Sequence, residues 1–238
     1  MVEEKFDLEP GRVIAGKFEV IEKLGAGWEG EVYLVLERTT GVERAAKLFY
    51  SRADGRNRAV KFYARKLHKL RHCPILIQYH AGESIRIRGA QVSVLISEYI
   101  EGELLAQFVR RQPGRRLTQF EGLHLLHELA AGVEEIHRAG EYHGDLHDDN
   151  IIVRRKGLSF NVKLVDMYNW GRPSAENVRE DVCDLVKIFY DVIGGKGAYH
   201  RHPPEVRFIC SGLKRSLITR KFRTAGHLRR HIETMEWS

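Results

Sequence analysis

The chain has 238 residues, 43% of them hydrophobic, which is enough for one bilobal unit or two small domains with a substantial core. No apolar run approaches the roughly 20 residues that span a bilayer, the acidic start Met1-Val2-Glu3-Glu4 is no secretory signal, and Cys73, Cys183 and Cys210 stand alone, so a cytoplasmic protein with reduced thiols and no membrane partner is expected. The formal charge of +7 can attract an acidic partner or RNA, with a solvated surface and local phosphate attraction as the plainer reading, and no nucleic-acid-binding motif accompanies it.

Residues 12–22 alternate loosely and end at glycines, as a strand feeding a turn does. Residues 31–36 predict a second strand, Thr39-Thr40-Gly41 a hairpin turn, and residues 43–50 a third strand that carries Lys47. Residues 51–57 read as a polar loop. Val60, Tyr63, Ala64, Leu67 and Leu70 have helical spacing and predict a helix over 59–70, with Pro74 beyond it as a break. Residues 85–87 and 92–96 pair around Gly89, which completes a five-stranded antiparallel sheet with one helix.

The composition changes after Glu98-Tyr99-Ile100-Glu101-Gly102, a connector. A short amphipathic helix follows at 104–111 and a long one at 118–138, with Leu123, Leu126, Leu129, Val133 and Ile136 in its buried stripe. Thr118 and Glu121 form its capping box and Gly140 its stop. Further helices are expected at 182–192, 208–217 and 225–235. The fold class is α+β, with a sheet-rich domain over 1–101 and a mainly helical one over 102–238.

Gly25, Gly27 and Gly30 lie between two strands, whereas a dinucleotide fold needs a helix after its glycines. A glycine-rich hairpin can instead fold over a triphosphate, because missing side chains let backbone amides approach the oxygens; a plain flexible hairpin is the other reading. Lys47, in Ala45-Ala46-Lys47-Leu48-Phe49, points inward and needs an anionic partner, which ATP phosphates would supply. A lysine snorkelling at a sheet edge is its alternative. In His143-Gly144-Asp145-Leu146-His147-Asp148-Asp149-Asn150, Asp145 is placed to orient a nucleophilic hydroxyl and accept its proton. Asn150 and Asp166 offer hard oxygen ligands for Mg2+. A turn-forming Asp, an Asx turn at Asn150 and a helix cap at Asp166 are the structural alternatives. Jointly the elements read as ATP-dependent phosphoryl transfer.

Gly25-x-Gly27-x-x-Gly30-x-Val32, Ala45-x-Lys47, His143-x-Asp145-x4-Asn150 and Asp166 resemble the protein kinase superfamily, and the likeness runs over nearly the whole chain. The resemblance implies a bilobal fold with ATP between a sheet-rich N-lobe and a helical C-lobe. It places Gly25, Gly27, Gly30, Val32, Ala45 and Lys47 around the nucleotide, Glu98 and Ile100 on its adenine edge after Ser97 as gatekeeper, and Glu103 near its ribose. Asp181 resembles the helix aspartate that braces the catalytic loop.

Four departures from the family pattern stand out. Tyr63 occupies the helix position that usually supplies a glutamate to the lysine, so Lys47 is left to pair with Asp166 or an acid from elsewhere. Gly144 replaces the arginine that reads an activation-loop phosphate, and the segment from Asp166 to Asp181 is short, so activity without loop phosphorylation is expected. Met167-Tyr168 replaces the Phe-Gly after the metal-binding Asp. His147 stands where many members carry a phosphate-contacting lysine, and is counted with Asp145 and Lys47 as catalytic. The leading expectation is a compact Ser/Thr protein kinase using ATP and Mg2+ on a protein substrate, acidic in character. A small-alcohol kinase of the aminoglycoside and choline kinase type, and an ATP-binding pseudokinase scaffold, are the alternatives.

Overall fold

Alternating apolar residues build the first sheet. Its strands are β1 (Val13–Ile14), β2 (Phe18–Ala26), β3 (Gly30–Glu37), β4 (Val42–Phe49), β5 (Tyr79–Ile87) and β6 (Ala90–Glu98), all paired antiparallel in the order β1-β2-β3-β4-β6-β5. The computed structural model describes residues 5–54, 58–157, 159–167 and 171–236. Two units are distinguished, residues 1–72 with 77–100, and residues 73–76 with 101–238.

Among the described residues the first unit has six strands where five were expected. Ala15 and Gly16 take positive φ (49° and 68°) and fold Val13–Ile14 back onto β2. A two-residue strand is too short to leave a periodic trace. Tyr33, Val35, Ala46, Leu48, Val94 and Ile96 fall on one face and form a buried cluster with Phe18 and Val20. In register, Val32 lies opposite Lys47 and Lys47 opposite Leu95, so Val32, Ala45 and Lys47 share the other face. The polar stretch after β4 begins with a helical turn, α1 (Ser51–Asp54), instead of a loop; residues 55–57 of that stretch lie outside the described residues. Helix α2 (Arg58–Lys69) buries Val60, Tyr63 and Leu67, as their spacing predicted, while Ala64 of the same stripe stays partly exposed and Ala59 and Lys66 are buried as well.

The second unit is mainly helical around a small sheet of β7 (Glu103–Leu104), β8 (Ile151–Lys156) and β9 (Ser159–Leu164). Its helices are α3 (Leu105–Arg111), α4 (Gln119–Arg138), α5 (Ala175–Val192), α6 (Gly195–Ala198), α7 (Pro204–Cys210), α8 (Arg215–Lys221) and α9 (Ala225–Thr234). The capping box forms: Glu121 N–H donates to Thr118 Oγ1 at 3.2 Å, and Thr118 N–H donates to Glu121 Oε2 at 3.0 Å. Helix α5 starts at Ala175, capped by Ser174, well ahead of the predicted Val182. The expected helix over 208–217 is instead two helices, because Ser211, Gly212 and Leu213 all adopt positive φ (51°, 58° and 57°) and break it. Among the described residues, no helix is long and apolar enough to cross a membrane.

Candidate active site

In the first unit the glycine-rich hairpin joins β2 to β3. The Gly27 N–H donates to the Gly30 carbonyl at 2.9 Å, and Gly25 lies opposite Val32. The three glycines differ in what they permit. A Cβ built at Gly25 or Gly27 would meet nothing within 4 Å, so those positions leave open space. A Cβ at Gly30 would overlap the Leu48 carbonyl oxygen, so Gly30 is required by the close approach of β3 to β4.

Lys47 is only 8% exposed. The hairpin itself places an acid beside it: Lys47 Nζ pairs with the Glu29 carboxylate, which is equally buried. The Tyr63 hydroxyl lies 3.2 and 3.1 Å from the two Glu29 oxygens and donates to them. Lys47 Nζ also sits 5.4 Å from the Phe49 ring centre and 5.2 Å from that of Tyr63. The Glu29 backbone is fixed as well, because the Tyr50 N–H donates to its carbonyl at 2.8 Å. Tyr63 lies on the buried face of α2, as its spacing implies, and that helix lacks a glutamate, whereas the role of Glu29 did not show in the sequence pattern. The available signal was a carboxylate inside the glycine run, between Trp28 and Gly30.

Glu31, on the other side of Gly30, has no exposed side-chain surface. It accepts from the hydroxyls of Tyr33 and Tyr50 and the backbone N–H of Phe6 and Asp7, and pairs with Lys23. Burial opposes its ionisation, but the Tyr33 hydroxyl and Lys23 hold the carboxyl below the usual range. At the end of β6, Ser97 is buried, and Glu98 Oε1 accepts from the Gln78 N–H at 3.0 Å. Ile100, just beyond, is partly exposed.

In the second unit the catalytic-loop candidates are organised from below by Asp181 of α5. Its fully buried carboxylate accepts the backbone N–H of His143 and of Gly144, both at 2.8 Å, and faces His137 Nε2 at 3.0 Å. The His143 ring spans to the segment before Asp166, with Nε2 3.1 Å from the Val165 carbonyl, and its Nδ1 accepts the Asp145 N–H at 3.3 Å. The Asn150 Nδ2 donates to the Asp145 backbone oxygen at 2.9 Å and to Asp145 Oδ2 at 3.1 Å. That orientation leaves the Asn150 Oδ1 as the atom with which this side chain can ligate a hard cation. The Val165 N–H donates to the Asn150 carbonyl at 3.0 Å, which ties Asp166 to the same loop, and Asp166 itself has φ 56°. Asp145, Asn150 and the backbone leading into Asp166 are therefore joined through one set of loop contacts.

His147 Nδ1 accepts the Asp149 N–H at 3.2 Å, which turns Nε2 toward Asp145 Oδ2 at 3.7 Å. Glu103 lies on β7, where its carboxylate pairs with Arg111. Asp184, one turn beyond Asp181, was not singled out from the sequence. Burial, with Asp181 and Glu180 beside it, pushes its carboxyl up to about 7.

Several arginines are neutralised locally, in the pairs Arg154–Glu101, Arg155–Glu121 and Arg229–Glu134. Arg116 and Arg201, with His202, instead line a cavity of about 390 Å³ in the second unit.

A family model described as the protein kinase domain matches residues 18–177. The putative cyclin-dependent kinase F-2 of Oryza sativa subsp. japonica is 29% identical over 177 residues, which cover 73% of this chain and 53% of that protein. The serine/threonine-protein kinase pkn2 of Myxococcus xanthus is 30% identical over 160 residues, 65% of this chain and 18% of that protein. The chain thus spans about half or less of the length of these relatives. A solved double mutant of the Mycobacterium tuberculosis PknI kinase domain shares the fold, with a TM-score of 0.68 at 20% identity over 95% of this chain and 97% of that one.

Proposed function

The chain belongs to the protein kinase family, and we propose that it transfers the γ-phosphoryl group of ATP to a serine or threonine hydroxyl of a protein. The observation that carries this reading is the Asn150 amide held on Asp145 by two hydrogen bonds, on a loop that Asp181 fixes from below.

Each residue then has a role that its surroundings support. The open hairpin at Gly25 and Gly27 lets backbone amides approach phosphate oxygens, and Val32 and Ala45 give the nucleotide an apolar wall on the face that carries Lys47. Lys47 offers its charge to the phosphates. Glu98 and Ile100 serve the adenine edge and Glu103 the ribose. Asp145 orients the acceptor hydroxyl and takes its proton late in transfer, with His147 as a polar neighbour that steadies the carboxylate. Asn150 Oδ1 and the Asp166 carboxylate hold magnesium. That ion, when bound, neutralises charge on the phosphate oxygens.

Control by a phosphorylated loop is absent from this reading. Gly144 carries no side chain with which to read a phosphate, and the segment between Asp166 and Asp181 is short. An acidic protein substrate agrees with the basic cavity at Arg116 and Arg201. Pairing of Lys47 by Glu29 weighs against the pseudokinase scaffold, which drew its support from Tyr63.

Purified chain incubated with γ-labelled ATP and Mg2+, with Asp166→Ala as control, tests the acceptor class. Acid-stable label on Ser or Thr of the chain or of a generic acidic protein supports the reading. Label appearing only on small alcohols, or on nothing, contradicts it.

A further inference from the structure

A buried lysine needs a partner that keeps it charged and holds it in one place. In this chain no Glu occurs between Glu43 and Glu83, and Asp54 is the only acid there, so α2 cannot supply one. Glu29 is 5% exposed, and among the described contacts its carbonyl is held by the Tyr50 N–H and its carboxylate by the Tyr63 hydroxyl and by Lys47.

We propose that Glu29 is the positioning residue for Lys47 in nucleotide binding, so that the lysine is aligned by the glycine-rich hairpin and not by a helix carboxylate. This assignment rests on the phosphotransferase reading of the site. Tyr63 makes the exchange physically reasonable. Its ring reaches further from α2 than a glutamate would, so the helix contributes a hydroxyl donor where an acid would otherwise sit, and the acid comes from the hairpin. The carboxylate is thereby fixed before nucleotide arrives, which lowers the cost of orienting Lys47 toward phosphate. Because Glu29 lies between Gly27 and Gly30, the seat of the hairpin and the aim of the lysine become one geometric variable. A rival role for the pair, in which Glu29 merely occupies the place of the phosphates, predicts the opposite sign. Its removal would then free Lys47 and tighten nucleotide binding.

The test is a double-mutant cycle on the affinity for a fluorescent ATP analogue with Mg2+, using wild type, Glu29→Gln, Lys47→Met and the double variant. Melting without nucleotide reports separately on the fold. Glu29→Gln is expected to weaken binding by roughly 10-fold, equivalent to about 1.4 kcal/mol. In the Lys47→Met background the same change is expected to cost less than about 2-fold, because its target is gone. Glu29→Asp, which keeps the charge one methylene short, should recover part of the loss and serves if Glu29→Gln does not fold. Tighter binding by Glu29→Gln, equal weakening in both backgrounds, or no recovery with Glu29→Asp would overturn the assignment. A wild type that shows the coupling yet transfers no phosphate would support the assignment and sink only the phosphotransferase reading.

Discussion

The Asp181 carboxylate accepts the Gly144 N–H at 2.8 Å and so fixes the backbone immediately before Asp145. The same carboxylate takes the His143 N–H and faces His137, and it has no exposed surface. Asp181→Asn keeps the shape but removes the charge and turns one oxygen into a donor facing donors. The expected loss is about 3 kcal/mol of stability by urea titration. A fall in kcat of roughly 10²-fold should accompany it, because Asp145 loses its seat. A variant of normal stability and rate would show that Asp181 does not organise the loop.

The glycines of the hairpin separate by consequence. Gly30→Ala drives a methyl into the Leu48 carbonyl and should destabilise the chain by about 3 kcal/mol, seen as a lowered melting temperature without nucleotide. Gly25→Ala meets open space and should leave melting nearly unchanged while raising the KM for ATP. Equal melting losses in the two variants would contradict the distinction.

Asp184 links stability to pH. Its folded carboxyl, raised to about 7 by burial and by Asp181, Glu180 and Asp145, with Lys187 opposing, keeps a proton that the unfolded chain releases near 3.8. The folded state binds more protons between these values, so stability falls as pH rises from about 4 to about 7. Asp184→Asn removes that loss. At pH 8 it should be more stable than wild type by about 2 kcal/mol, partial exposure having screened the shift. At pH 4 the two should be nearly equal in urea titrations. A difference independent of pH would contradict the assignment.

Much of the fold was legible because periodicity and capping record local physics. Helix α4 carries Thr118, Glu121 and Gly140 where the pattern placed them, and α2 buries most of the stripe it displays. The lost pieces depend on information of another kind. The β1 hairpin turns on Ala15, a residue with no turn preference, and the break at Ser211–Leu213 puts two non-glycine residues at positive φ. Within the site, Asp145 and Asn150 were visible as a spacing and are hydrogen-bonded to each other, while Asp181, which only the family resemblance pointed to, takes the Gly144 N–H. Glu29 was not visible, because a pairing across 18 positions is set by the register of β3 on β4 and leaves no periodic mark.

Turnover should not depend on loop phosphorylation. Gly144 has φ 81°, a conformation that strains any residue with a side chain, so a phosphate-reading arginine does not fit there without cost. Phosphatase-treated protein should retain its rate within about twofold, in contrast to loop-controlled kinases. Loss of turnover on treatment, restored by rephosphorylation of residues between Asp166 and Asp181, would contradict this.

Phosphoryl transfer itself is measured most directly by the initial rate of label transfer from γ-labelled ATP to protein hydroxyls, wild type against Asp145→Asn, with nucleotide affinity measured in parallel. The expected result is a rate lower by roughly 10³-fold in Asp145→Asn at near-normal ATP affinity. Equal rates in the two proteins, or no transfer by wild type to any protein hydroxyl, would contradict a kinase built on Asp145.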